Sequence, residues 1–228
     1  MDQNLKAVGI AKVCAAVALC GITAIVSRGQ SSSAQRSFDY AHNDVPRGDT
    51  PSTVGNLGPN LIVNGAFGMG NTGFVSDYVY GNDYNPGTYV IGPEPCEVPG
   101  HWFDWQCFPP HNGSLMFIAN GANYVSQTAW TETVTVDPET KYLVSFWAAT
   151  LNTSITSPAQ LVLQINGEVA GQITLPDQSP ITGGSWVQLE ISWPSGDSSS
   201  AVVAIFDENT ATDANDFVLD DLKFLQLP

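Results

Sequence analysis

From residue 60 onward the chain falls into short runs of Val, Ile, Thr and aromatic residues, each closed by Gly, Pro, Asn or Asp, and that punctuation points to strands joined by turns. The runs are LIVNGAF (61–67), SLMFIANGA (114–122), WTETVTVDPET (130–140), YLVSFWAAT (142–150), AQLVLQING (159–167), EVAGQITL (168–175), SWVQLEISW (185–193), AVVAIFDEN (201–209) and FVLDDLKFL (217–225). None carries helical periodicity over more than one turn. Alternation in Thr131–Val136 and Trp186–Ile191 gives each strand one wet and one buried face. Asn166-Gly167 marks a two-residue hairpin, because a type I′ turn needs positive φ at both positions. About nine such strands predict an all-β, antiparallel two-sheet sandwich or jelly roll. The 228 residues suffice for one such domain plus an appendage.

The appendage is N-terminal. Residues 7–26 read AVGIAKVCAAVALCGITAIV, with Lys12 as the only charge, a length that spans a bilayer as a helix. The charge-free part, Val13 to Val26, also suits the core of a signal peptide. Two readings therefore stand, a retained membrane anchor and a cleaved export signal. Cleavage signals are weak: Ser32-Ser33-Ala34 lies beyond Arg28, and Leu19 is too large for a lipoprotein site at Cys20. The preferred reading is a protein exported to the periplasmic or cell-surface face and anchored through 7–26. Residues 27–59 are polar and lack periodicity, so they read as a flexible linker to a domain at 60–228. In 1–59 five Lys and Arg face four Asp, whereas 60–228 carries only Lys141 and Lys223 against 18 acids. A domain so poor in cations cannot present the basic surface that nucleic acid requires.

Six segments recur in a familiar order: NLIVNGAF at 60–67, SDY at 76–78, HNGSLMFIANGA at 111–122, VSQTAWTETVTVDPETKYLVSFWAAT at 125–150, AQLVLQINGE at 159–168 and NDFVLDDLKF at 215–224. In order and spacing this resembles the galactose-binding-like jelly-roll domains of exported bacterial proteins, among them carbohydrate-binding modules and PEP-CTERM-type surface proteins. The resemblance implies the fold and says less about function, since the fold hosts many binding roles. Those families open on an NGDFE-like strand, which here reads Asn64-Gly65-Ala66-Phe67-Gly68, without either acid. No cofactor is expected. The one candidate is a structural calcium ion at Asp220, Asp221 and oxygens near Asn64, weakened by the missing carboxylate. The competing reading has the Asp pair serving backbone donors. With no sorting segment before Leu227-Pro228, any anchoring is expected at the N-terminus.

Catalytic chemistry finds little material. There are three histidines, none paired at ligand spacing, and neither a Cys-x-x-Cys nor a Gly-x-Ser-x-Gly motif. Carboxylate pairs such as Glu97 and Asp104 are common in any acidic chain, so no enzyme is expected. The informative stretch is 78–110, rich in Gly, Pro and Asn. Cys96 and Cys107 are expected to form a disulfide there, as an exported domain favours. Between them lies His101-Trp102-Phe103-Asp104-Trp105, whose rings cannot all face one core. Together with Tyr78, Tyr80, Tyr84 and Tyr89 they form the candidate aromatic surface, suited to a protein partner or to sugar faces. Trp130, Trp147, Trp186 and Trp193 are expected in the core. The main expectation is a non-catalytic accessory subunit that docks on a protein partner, and the alternative is a carbohydrate-binding surface protein.

Overall fold

The computed structural model describes residues 56–81, 85–100, 105–152, 157–176, 185–212 and 214–228. The candidate anchor at 7–26, the linker up to residue 55, Tyr84, His101, Trp102, Phe103 and Asp104 lie outside the described residues. Among the described residues no helix is long and apolar enough to cross a membrane.

Ten strands are described: β1 (Val79–Tyr80), β2 (Thr88–Gly92), β3 (Met116–Asn120), β4 (Thr128–Thr135), β5 (Lys141–Thr150), β6 (Gln160–Ile165), β7 (Glu168–Thr174), β8 (Val187–Pro194), β9 (Ser200–Asp207) and β10 (Phe217–Gln226). They form a six-stranded sheet, β1-β2-β3-β10-β5-β8, and a four-stranded sheet, β4-β9-β6-β7. All pairings are antiparallel except that of β1 with β2. Eight of the nine expected runs are strands. The exception is LIVNGAF, which forms a chain of turns, while β2 lies in the Gly- and Pro-rich stretch. At the β6–β7 hairpin Asn166 and Gly167 have φ of 54° and 83°, the type I′ signature its sequence predicts.

Alternation places Phe117, Trp130, Tyr142, Phe146, Leu161, Leu163, Phe217 and Phe224 between the sheets, each no more than 1 % exposed. In β10 a strict period of two fails, because Phe217 and Leu219 are followed inward by Leu222 and Phe224. One extra residue must be absorbed, and the strand does so in a bulge between Asp220 and Lys223, with Asp221 at φ 51°. The N-terminal turns clasp this bulge. Asn60 donates Nδ2 to the Leu222 carbonyl (2.9 Å) and accepts from the Phe224 N–H (2.8 Å), and Leu222 N–H donates to the Gly65 carbonyl (2.9 Å). A Cβ on Gly65 would collide with that Leu222 carbonyl. Asn60 and Gly65 therefore lock the start of the domain to its last strand.

Candidate functional site

The outer face of the six-stranded sheet is divided in two by Val98 and residues 105–112, described parts of the segment between β2 and β3. One registered row, Val90, Ile118, Val218 and Ala149, crosses β2, β3, β10 and β5, and alternation alone would leave it wet. It is dry. Val98, Trp105 and Phe108 lie over it, and Met116, Ile118, Ala149 and Val218 are 0 % exposed. The Cys96–Cys107 disulfide is present, with Cα atoms 5.0 Å apart. Trp105 Nε1 donates to Asp216 Oδ2 at 2.7 Å, an oxygen that also accepts from Asn152 Nδ2 at 2.8 Å. Gln106 adds a backbone bond to the Leu151 carbonyl (2.9 Å). The bridged loop is thus a covering layer with a small apolar core of its own.

This corrects part of the expected aromatic surface. Trp105 is buried because its ring completes that core and its N–H meets a buried carboxylate. Tyr78 is buried with its hydroxyl accepting from the Ala122 N–H, and burial holds the phenol well above its ordinary pKa. Tyr89 is buried against Phe117, ring centroids 4.7 Å apart, with its hydroxyl donating to Asn71 Oδ1 at 2.7 Å. Of the expected rings among the described residues, only Tyr80 remains exposed. It borders a groove of about 390 Å³ floored by Val90, Ile91 and Val98, with Glu94 and Glu97 alongside. Glu94 approaches both cysteine sulfurs, but the disulfide leaves no thiolate to ligate a metal.

Among the described residues the rest of the outer face is open, and its aromatic residues are ones that residue type alone would place in the core. Of the four tryptophans expected there, Trp130 is buried, whereas Trp147, Trp186 and Trp193 are half-buried. Trp147 and Trp186 point outward. In β5 the inward residues are Tyr142, Val144, Phe146 and Ala148, so Trp147 faces out. Trp186 precedes β8 in phase with outward Gln188 and Glu190. His111, at the end of the covering loop, stacks on Trp147 with centroids 4.1 Å apart and planes at 16°, and meets Trp186 edge-on at 5.7 Å. Phe108 also meets Trp186 edge-on, at 5.8 Å. Strand register sets Gln188 beside Trp147, and Glu190 beside Ser145, whose other neighbour is Lys223. Alternation is the sequence signal that finds both tryptophans.

Two carboxylates support this seam. Asp220 is 0 % exposed and accepts from the N–H groups of Asn112 (2.8 Å) and Asp221 (2.7 Å). Burial, as the largest cause, pushes its carboxyl up to about 6, against those hydrogen bonds. Asp221 accepts from Lys223 Nζ at 2.9 Å and Asn112 Nδ2 at 3.2 Å, and His111 Nδ1 lies 3.6 Å away. Asn64 spends its side chain on its own turn, donating to the Gly70 and Thr72 carbonyls and accepting from Met69 N–H. A hard cation needs six to eight free oxygens. These side chains do not fit a calcium ion as placed, because the carboxylates face donors and the Asn64 amide faces its own loop.

No family model and no curated protein matches the chain. Among solved structures it is similar to a Stig cyclase, Fisc, from Fischerella sp. TAU, at 9 % identity over 76 % of this chain and 98 % of that one, with a TM-score of 0.51. It is also similar to a family 16 carbohydrate-binding module (18 % identity, 72 % and 99 % covered, TM-score 0.43). A xylan-binding domain of Xyn10C from Paenibacillus barcinonensis matches at 16 % identity, with 71 % and 90 % covered and a TM-score of 0.41. Identities this low speak to the fold alone, and the fold is the antiparallel two-sheet sandwich that the galactose-binding-like resemblance implies.

Proposed function

We propose that the domain is a non-catalytic carbohydrate-binding module, with its ligand on the open half of the six-stranded sheet's outer face. The observation that carries this reading is the solvent-facing contact of His111, Trp147 and Trp186 beside exposed Gln188 and Glu190. Sugars present apolar C–H faces and hydroxyl edges together. Aromatic rings pack against the first, while an amide and a carboxylate exchange hydrogen bonds with the second. The rings already hold one another, so binding freezes little further side-chain motion. The disulfide supports an oxidising, extracytoplasmic location, where residues 7–26 would tether the domain. Docking on a protein partner, the main expectation from the sequence, has no comparable observation of its own among the described residues, and the alternative is the one taken up here.

The test is affinity electrophoresis of the full chain in detergent through gels containing xylan, galactan or a soluble cellulose derivative. At least one gel should retard the wild type and not Trp147→Ala or Trp186→Ala, with both variants still folded by circular dichroism. The absence of retardation in every gel, or variants retarded as strongly as wild type, would remove the proposal. Release of new reducing ends during incubation would show a hydrolase instead.

A further inference from the structure

We infer that the ring-bearing site is a blind cleft, which receives the end of a glycan chain or a free oligosaccharide and not the middle of a long polymer. The inference rests on the glycan reading above. A chain lying on the rings and running across the strands from β8 would pass Gln188 and Trp147 and then reach the Asp220 position. There it meets a wall. Asn112 N–H is bonded to Asp220, His111 stands over Trp147, and beyond them Met116, Ile118 and Val218 are sealed at 0 % exposure. Along the strands the rings meet Phe108, packed edge-on against Trp186. With strands about 4.8 Å apart, the open width from β8 to β10 is roughly 10 Å, which holds only a short piece of glycan.

The wall is fixed and not a flap. It is tied by the Cys96–Cys107 bridge, by Trp105 on the buried Asp216 carboxylate, and by Gln106, whose side chain also donates to the Asn152 carbonyl at 3.0 Å. Two buried side chains and a disulfide would have to let go before a polymer could pass.

The distinguishing measurement is stoichiometry. Full-length protein in detergent is titrated calorimetrically with xylo-, galacto- and cello-oligosaccharides and with xylan, galactan and soluble cellulose derivatives of graded length. A blind cleft gives a protein-to-chain ratio of about one at every length, with similar affinity per chain for trisaccharide and polymer. A ratio that climbs with chain length overturns the inference and leaves the glycan reading standing. Absence of binding to every probe, or binding that Trp186→Ala leaves unchanged, overturns the reading itself and the inference with it.

Discussion

The covered and the open halves of one sheet face make an instructive pair. Both are built from outward positions of β5 and β10, with the same pleat and hydrogen-bond ladder. Where the bridged loop lies, those positions are Val218 and Ala149, sealed under Trp105 and Phe108. Where it stops, they are Trp147 and Lys223, with Gln188 and Glu190 next door on β8. The difference teaches that an outward position is defined by what lies over it. The loop turns half of a solvent face into a second core, and the candidate site is the remainder.

The largest effect that would break this comparison is loss of the covered core. Ile118→Ala should cost about 3 kcal/mol, because a fully buried side chain leaves a cavity between sheet and loop. Urea unfolding measures it, and a loss below ~1 kcal/mol would show that the loop does not bury this face. Joint Cys96→Ser and Cys107→Ser replacement should cost about 2–3 kcal/mol through the freed loop. Calorimetry with and without reductant reads it, and a melting temperature that ignores reductant would count against the bridge as a staple.

A pH effect sharpens the seam between the halves. Burial raises the carboxyl of Asp220 to about 6 and that of Asp207, on the other sheet, to about 7, both above the ordinary value of 3.8. The folded domain therefore holds these protons at pH values where the unfolded chain has released them. Their contribution to stability is greatest below about pH 4 and is lost as pH rises through 6 and 7. Melting should thus occur at higher temperature near pH 5 than near pH 8, and Asp207→Asn with Asp220→Asn should flatten the trend. A melting temperature that climbs with pH across this window in the wild type would contradict it. The smallest effects belong to the open half. Gln188→Ala or Glu190→Ala should leave stability within about 0.5 kcal/mol. Each should weaken glycan binding by ~1 kcal/mol, about fivefold, for one lost hydrogen bond. Unchanged affinity in both would move the ligand off this strip.

Much of the sandwich is legible in the amino-acid sequence. Apolar alternation locates the strands, Asn166-Gly167 its hairpin, and two cysteines in a Gly- and Pro-rich stretch their bridge. LIVNGAF misleads because it buries Ile62 and Phe67 from a chain of turns: Asn64 orders a turn and Gly65 admits the Leu222 carbonyl, so the run is apolar without being extended. The site is legible only in part. Richness in aromatic residues draws attention to 101–105, yet the one described ring there, Trp105, is buried. Residue type places Trp147 and Trp186 in the core, although their phase in the alternation points outward.

By itself, then, the sequence determined an acidic all-β domain, the direction in which strand residues point wherever no bulge intervenes, and the scarcity of catalytic or nucleic-acid-binding groups. Only the tertiary structure decided which outward positions meet water. Direction is set locally, by a backbone repeat of two residues. Burial is set by whichever distant segment comes to rest above, here a loop tied down by Cys96–Cys107 and by Trp105 on the Asp216 carboxylate.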